Sequence, residues 1–185
     1  MKKCCFVFCL SIFILLSSCA MEATIPENQE SFTVFLENRE LFSDCVEEIM
    51  AMDNDCLISR TDFYAPAGSE DFVGLYLQNL EDSSFQAYES LKIKHLMENC
   101  GVKLISTKHD AGLFICAFDM CTPGKNFDYG FYYVSEDNPI YLGDPSISLV
   151  ESENGYVYSQ KADYGTKFSF YTEKVADHYY YYEIT

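Results

Sequence analysis

Apolar residues recur along this chain in two rhythms, one of three to four residues in the first half and one of two in the second. Between residues 31 and 52, Phe32, Phe35, Leu36, Leu41, Phe42, Cys45, Val46, Ile49 and Met50 fall mostly three or four apart, with Glu37, Glu40, Asp44, Glu47 and Glu48 between them. That spacing gathers one apolar face on a helix. The start is ambiguous, because Phe32, Val34 and Leu36 also alternate, and Asp53-Asn54-Asp55 ends the element. Cys56 to Leu80 carries mixed signals around a loop at Pro66-Ala67-Gly68-Ser69. Ser83-Ser84-Phe85-Gln86 then has the spacing of a capping box, Phe85, Tyr88, Leu91, Leu96 and Cys100 follow on one side, and Gly101 offers a left-handed stop. A helix from about Ser84 to Asn99 is expected.

Beyond Gly101 the period shortens. Twelve of the fifteen tyrosines lie at or after Tyr129, and aromatic and β-branched residues favour strands. Strands are expected near Val102–Thr107, Leu113–Met120, Tyr129–Ser135, Tyr156–Gln160, Thr166–Thr172 and Tyr179–Ile184, with turns at Asp110-Ala111-Gly112, Pro123-Gly124-Lys125-Asn126, Asn154-Gly155 and Tyr164-Gly165. Connections this short join antiparallel neighbours. In Leu113–Met120 both alternating sets are apolar, which marks a strand covered on both faces. The expected fold is α+β, with one or two amphipathic helices packed on an antiparallel β-meander of about five or six strands.

The N-terminus changes the picture. Met1-Lys2-Lys3, an apolar run from Cys4 to Leu16 and Ser17-Ser18-Cys19 have the three parts of a secretory signal peptide. The run is short against the roughly 20 residues that a membrane-crossing helix needs. Leu16-Ser17-Ser18-Cys19 resembles the lipobox of bacterial lipoproteins: a large aliphatic, two small residues, then cysteine, at the end of the apolar run. The resemblance implies lipidation at Cys19 by diacylglycerol and palmitate-type acyl chains, cleavage before it, and a domain held at the cell membrane or outer membrane, outside the cytoplasm. Residues 1–18 are then the signal, 19–30 the lipidated cysteine and a flexible tether, and 31–185 a single α+β domain. Without a lipobox reading, a cut near Ala20 or Ala23 would give a secreted protein instead.

The formal charge is −17, and loss of Lys2 and Lys3 with the signal would take it to −19. With no basic cluster to neutralise phosphates, nucleic acid is not an expected partner. Tyr179, Tyr181 and Glu183 share one face of the last expected strand and His178, Tyr180, Tyr182 and Ile184 the other. One set is core; the other, Tyr179 and Tyr181, is the candidate binding surface, since tyrosine joins a large apolar ring to a polar tip. Cross-strand aromatic pairing that stiffens the sheet is the plainer account.

Of nine cysteines, Cys45, Cys56, Cys100, Cys116 and Cys121 remain after the signal and the lipidated residue. Cys116 with Cys121, or Cys45 with Cys56, are candidate disulfides in an oxidising envelope, and buried thiols acting as small hydrophobes are the alternative. No second ligand pair accompanies Cys116 and Cys121, so no metal is expected. A thiol with His109, oriented by Asp110 or Asp119, is the one Cys/His arrangement to consider, with His95 and His178 the other imidazoles. Chance accounts for an adjacent His-Asp pair more simply. No catalytic residue and no cofactor is assigned.

The expected function is that of a membrane-anchored, acidic lipoprotein of the cell envelope that binds a protein partner there or outside the cell, without being an enzyme. The alternative is a small-ligand binder or hydrolase with a pocket between helix and curved sheet, similar in outline to cystatin-like or nuclear-transport-factor-like folds. Gly130-Phe131-Tyr132-Tyr133 and Asp137-Asn138-Pro139 look like segments of uncharacterised exported bacterial proteins, a likeness that implies no function.

Overall fold

Ten antiparallel strands hydrogen-bond side by side in one sheet: β1 (Cys56–Arg60), β2 (Leu75–Asn79), β3 (Phe85–Tyr88), β4 (Leu104–Asp110), β5 (Leu113–Asp119), β6 (Asp128–Val134), β7 (Val150–Glu151), β8 (Tyr156–Lys161), β9 (Lys167–Ala176) and β10 (Tyr179–Ile184). Their order is β3-β2-β1-β4-β5-β6-β10-β9-β8-β7. The computed structural model describes residues 27–64, 73–120, 128–161 and 167–185. The chain divides into two compact units, Met1–Thr33 and Val34–Thr185. Of the first, the described residues are the opening turns of helix α1 (Glu27–Glu37); α2 (Arg39–Met50) and α3 (Leu91–Asn99) belong to the second. Among the described residues no helix is long and apolar enough to cross a membrane.

This sheet corrects the expected architecture. The protein is dominated by a ten-stranded sheet with three short helices, not by helices on a meander of five or six strands. The additional strands are β1, β2, β3 and β7, which are short and carry polar residues such as Ser59, Gln78, Asn79 and Gln86. The expected helix from Ser84 begins seven residues late, at Leu91. Ser83 sits at φ +59 and Ser84 donates to Asp82 in a tight turn, so Phe85–Tyr88 extends into β3. The hydroxyl that caps the helix belongs to Ser90, which accepts the Ile93 N–H at 3.1 Å. Gly101, at φ +76, follows the helix end as expected.

The expected helix over residues 31–52 is two helices broken at Asn38. Its side-chain amide donates to the Val34 carbonyl at 2.8 Å, a local bond that competes with continuation of the helical ladder. Helix α1 also begins at Glu27, within the stretch expected to be tether.

The two-residue turn Ala111-Gly112 joins β4 to β5 with both residues at positive φ (+50 and +89), the handedness that matches the twist of paired strands. Strands β5, β6 and β10 form the middle of the sheet, and both of their faces are covered. On one face Phe42 meets Phe118 and Phe131 at ring-centroid distances of 5.0 and 5.9 Å, and Cys45, Val46, Ile49, Ile93 and Leu96 complete the helix-side core. On the other face, Ile115, Ala117, Tyr132, Val134, Phe170, Tyr180 and Tyr182 pack against Ile140, Tyr141, Leu142 and Leu149. The segment 135–149 therefore serves as lid for part of the face that the helices leave free.

That segment is pinned at one point. Asp137 accepts hydrogen bonds from the His178 N–H at 2.9 Å, the Tyr180 hydroxyl at 3.1 Å and the Lys174 ammonium at 2.5 Å. The Lys174 contact, with the other two, holds its carboxyl down to about 2. His178, at φ +66, forms the β9–β10 turn.

Candidate functional site

Among the described residues, aromatic rings fill the helix-side face over the central strands. The opposite face has open space. Where segment 135–149 stops short of covering β4 and β5, a groove of about 610 Å³ lies open, lined by Leu104, Ser106, Thr107 and Lys108 of β4, Ile115, Ala117 and Asp119 of β5, Asp128 of β6, Tyr182 and Ile184 of β10, Leu142 and Gly143 of the covering segment, and Asp55 and Leu80 beside β1 and β2. Its volume is within the range of small-molecule sites.

The strand register orders these residues. Leu104, Ser106 and Lys108 stand opposite Asp119, Ala117 and Ile115 respectively, so the groove runs along β5 from a carboxylate end to a mixed-charge end about 13 Å away at 3.4 Å per residue. Its middle has Ala117 opposite Ser106. Lys108 pairs with Asp110 at 3.5 Å at the far end.

Asp119 is the group that gives the groove its chemistry. It terminates an otherwise apolar strand and faces the same way as Ile115 and Ala117. The Tyr182 hydroxyl donates to its Oδ1. Burial raises its carboxyl above the ordinary value, the Tyr182 bond opposes that, and the charge of Asp128 adds to it. Asp128, at the start of β6, is exposed. Between them lies Gly130, opposite both Asp119 and Tyr182. A Cβ there would lie 2.1 Å from the Phe118 carbonyl oxygen and 3.1 Å from the Tyr182 ring, so the tyrosine reaches Asp119 only because this position has no side chain.

The residues singled out from the sequence lie elsewhere. Tyr179 and Tyr181 are 4 % and 1 % exposed; they form part of the helix-side core, not an open binding surface. Tyr179 packs on Phe35 at 5.1 Å and donates to the Ser43 hydroxyl, and Tyr181 meets Phe131 edge-on and donates to Glu183. The alternate set, Tyr180 and Tyr182, is equally buried. Covering on both faces leaves neither tyrosine set at the surface.

Cys45, Cys56, Cys100 and Cys116 are buried free thiols. Cys45 and Cys56 are unbridged, and Cys121, the expected partner of Cys116, lies outside the described residues, as does Cys19. Burial pushes the Cys45 thiol up to about 12 and the Cys116 thiol well above its ordinary value. His109 bonds Asp55, its ring Nδ1 at 2.8 Å and its backbone N–H at 2.7 Å, and Asp119 stands on the opposite face of the sheet from it. His95 lies beside Asn99 and His178 beside the Val134 carbonyl. Among the described residues no hydrogen bond joins an imidazole to a thiol, and no group of three or more His, Cys, Asp or Glu side chains is gathered to hold a metal ion.

Asp119 had a visible signal in the sequence: an acid in phase with the apolar residues of a strand covered on both faces. What pattern reading lacked was the partner, since Tyr182 lies 63 residues away. No family model, no curated protein and no solved structure matches the chain.

Proposed function

We propose that this chain is a lipid-anchored lipoprotein of the cell envelope, attached through Cys19, whose domain binds a small, largely apolar molecule in the groove along β5 without acting as an enzyme. The groove carries the reading: about 610 Å³, with Leu80, Leu104, Ile115, Ala117, Leu142 and Ile184 in its lining and Asp119 the one of its carboxylates that burial raises, the composition of a site that holds a ligand by its apolar body and orients it by a few polar contacts. The burial of Tyr179 and Tyr181 removes the feature that favoured a tyrosine-based protein interface. The groove also lies on the face away from the helices, where a pocket between helix and sheet had been the alternative. Engagement of His109 by Asp55 supports a binder over a Cys/His catalyst.

A second reading, an envelope protein partner, is favoured by one observation. Val73 and Leu91, 97 % and 87 % exposed, both border a hollow of about 770 Å³ beside the start of α3, and exposed aliphatic side chains flanking a hollow suit a protein contact.

Native mass spectrometry of the full chain released from membranes tests the first reading. A bound molecule of a few hundred daltons is expected with the natural chain and not with Ala117→Phe, whose melting curve shows whether it is folded; loss of palmitate labelling in Cys19→Ala tests the anchor. An unliganded natural chain that also fails to take up small apolar molecules would sink the groove reading. A crosslinked protein lost on Leu91→Asp would favour the second.

A further inference from the structure

We infer that β3 is a docking edge for an extended segment of another protein, one that pairs with it as an added strand and carries lysine or arginine beside its apolar residues. The inference goes beyond the groove. It rests on the second reading above, to which it gives a mode of contact and a chemistry.

β3 ends the sheet on one side and β7 on the other. An edge strand presents unpaired backbone groups, and proteins commonly blunt such edges with a charge, a proline, a bulge or extreme shortness. β7 is two residues long and includes Glu151. β3, Phe85-Gln86-Ala87-Tyr88, has no charge and no proline, and its register against β2 is unbroken. The Asn79 N–H donates to the Ser84 carbonyl at 2.8 Å. The ladder alternates from that pair, so Gln86 and Tyr88 turn their backbone groups to β2, while Ala87 turns its N–H and its carbonyl outward. Among the described residues neither group of Ala87 has a hydrogen-bond partner, and the residue is exposed. An outward donor and acceptor on one residue are satisfied together by a second extended backbone.

The surroundings decide whose backbone that is. Glu81 and Asp82 precede the strand and Glu89 follows it, all three exposed. Two copies paired edge to edge in the antiparallel sense would bring the Glu81–Asp82 end of one toward Glu89 of the other, on chains that each carry −17, and like charges so placed repel. The same acids attract lysine or arginine at either end of a foreign strand. Where β3 ends, Tyr88, Glu89 and Leu91 form a wall of the hollow of about 770 Å³, which gives an apolar side chain of the added strand a place beside Leu91. The cations of that hollow, Arg60 and Lys94, already meet Asp62 at 2.6 Å and Glu98 at 4.0 Å. Glu89 is therefore the lining charge that the incoming strand meets.

The test titrates two peptides of one pattern, Lys-Val-Thr-Leu-Thr-Val-Lys and Glu-Val-Thr-Leu-Thr-Val-Glu, into the full chain in lipid nanodiscs at low salt, with empty nanodiscs as blank. Binding is read at the Ala87 amide, by its resonance and its protection from exchange, which cations gathered elsewhere on the acidic surface do not report. The lysine peptide is expected to protect this amide and to bind at least about tenfold more tightly than the glutamate peptide. Ala87→Pro removes the outward donor without touching a bond to β2; with its fold checked by melting and its binding read at the Leu91 methyls, it is expected to lose at least about tenfold in affinity. Glu89→Lys, an exposed change that leaves the edge intact, should bring the two peptides to within about threefold. If the lysine peptide leaves the Ala87 amide unprotected at millimolar concentration, or if folded Ala87→Pro binds as the natural chain does, strand addition is overturned. Equal binding of the two peptides overturns the choice of a cationic partner, and protection of Ala87 in the natural chain alone, with a doubled mass, assigns the edge to a second copy instead. A crosslinked protein that is lost on Leu91→Asp but kept on Ala87→Pro would leave the protein-contact reading standing without this inference.

Discussion

The Tyr182 hydroxyl reaches Asp119 across the full width of strand β6, passing over Gly130. Two polar groups more than one strand apart are joined because the strand between them has no side chain at that register. The glycine, normally weakening in a strand, is here covered by an aromatic ring, and that ring carries the hydrogen bond that fixes the groove's carboxylate.

Gly130→Ala is expected to destabilise the fold by about 3 kcal/mol, the upper part of the range for overpacking. The added Cβ meets backbone, the Phe118 carbonyl, which has no room to yield. Urea unfolding of the two proteins measures it, and a loss under about 0.5 kcal/mol would show that β5 and β6 can part there without cost.

Tyr182→Phe removes the donor and leaves the half-buried carboxylate less compensated, at a cost of about 1 kcal/mol. The pH dependence has a definite sign. Asp119 titrates above its ordinary 3.8 in the folded protein, so its contribution is full below that pH and declines as pH rises through the folded value. Tyr182→Phe extends the decline to higher pH, because the lost bond was the influence holding the carboxyl down. Asp119→Asn abolishes this part of the pH profile. Thermal melts between pH 3 and pH 8 distinguish the three.

Asp137 behaves in the opposite sense. Its carboxyl is held at about 2, so what it contributes is present above the ordinary carboxyl value and is lost as pH falls through 2. Protection from hydrogen exchange at Ile140 and Tyr180, taken relative to the intrinsic rate at each pH, is expected to fall between pH 4 and pH 2, and Asp137→Asn should show the reduced protection already at pH 7. Unchanged exchange in the variant would mean that Tyr141 and Leu142 hold the segment without the pin.

The four described thiols are expected to resist alkylation in the folded protein. The thiolate is the reactive form, and burial raises all four thiols. Mass spectrometry after brief iodoacetamide treatment should find Cys45, Cys56, Cys100 and Cys116 unmodified in buffer and fully modified in guanidinium. Rapid labelling of any of them in buffer would reveal local opening of the helix layer.

Strands whose two alternating sets are both apolar were legible in the sequence: β5 and β10 stand where Leu113–Met120 and Tyr179–Ile184 place them. The strands β1 to β3 were not, since at the side of a sheet residues such as Gln78 and Gln86 need only be half covered, and their pattern fades into that of a loop. The capping-box spacing at Ser83 to Gln86 misled for a related reason. Ser90 offers the same cap to a shorter helix, and pairing of Phe85–Tyr88 with Leu75–Gln78 decides between them through contacts that local sequence does not contain. The tyrosine faces failed as a guide to exposure because segment 135–149 covers one face as thoroughly as the helices cover the other. The groove emerges only where that cover ends, beside Leu142 and Gly143.

The position of β10 between β6 and β9 also dictates an order of assembly. The hairpin of β4 and β5 and the adjoining β6 can form early from neighbouring sequence, but β6 then presents an unpaired edge until Tyr179–Ile184 arrives to bridge it to β9. Such a closure joins segments about fifty residues apart, the kind of pairing that folds slowly. On the proposed reading as an exported lipoprotein, the chain would have to stay unfolded while it crossed the membrane, and a sheet sealed by Tyr179–Ile184 would delay the final locking step until nearly all of the described sequence had emerged. The same arrangement makes the half-assembled sheet a template for strand addition by another copy, so removal of β10 should make the chain prone to aggregation.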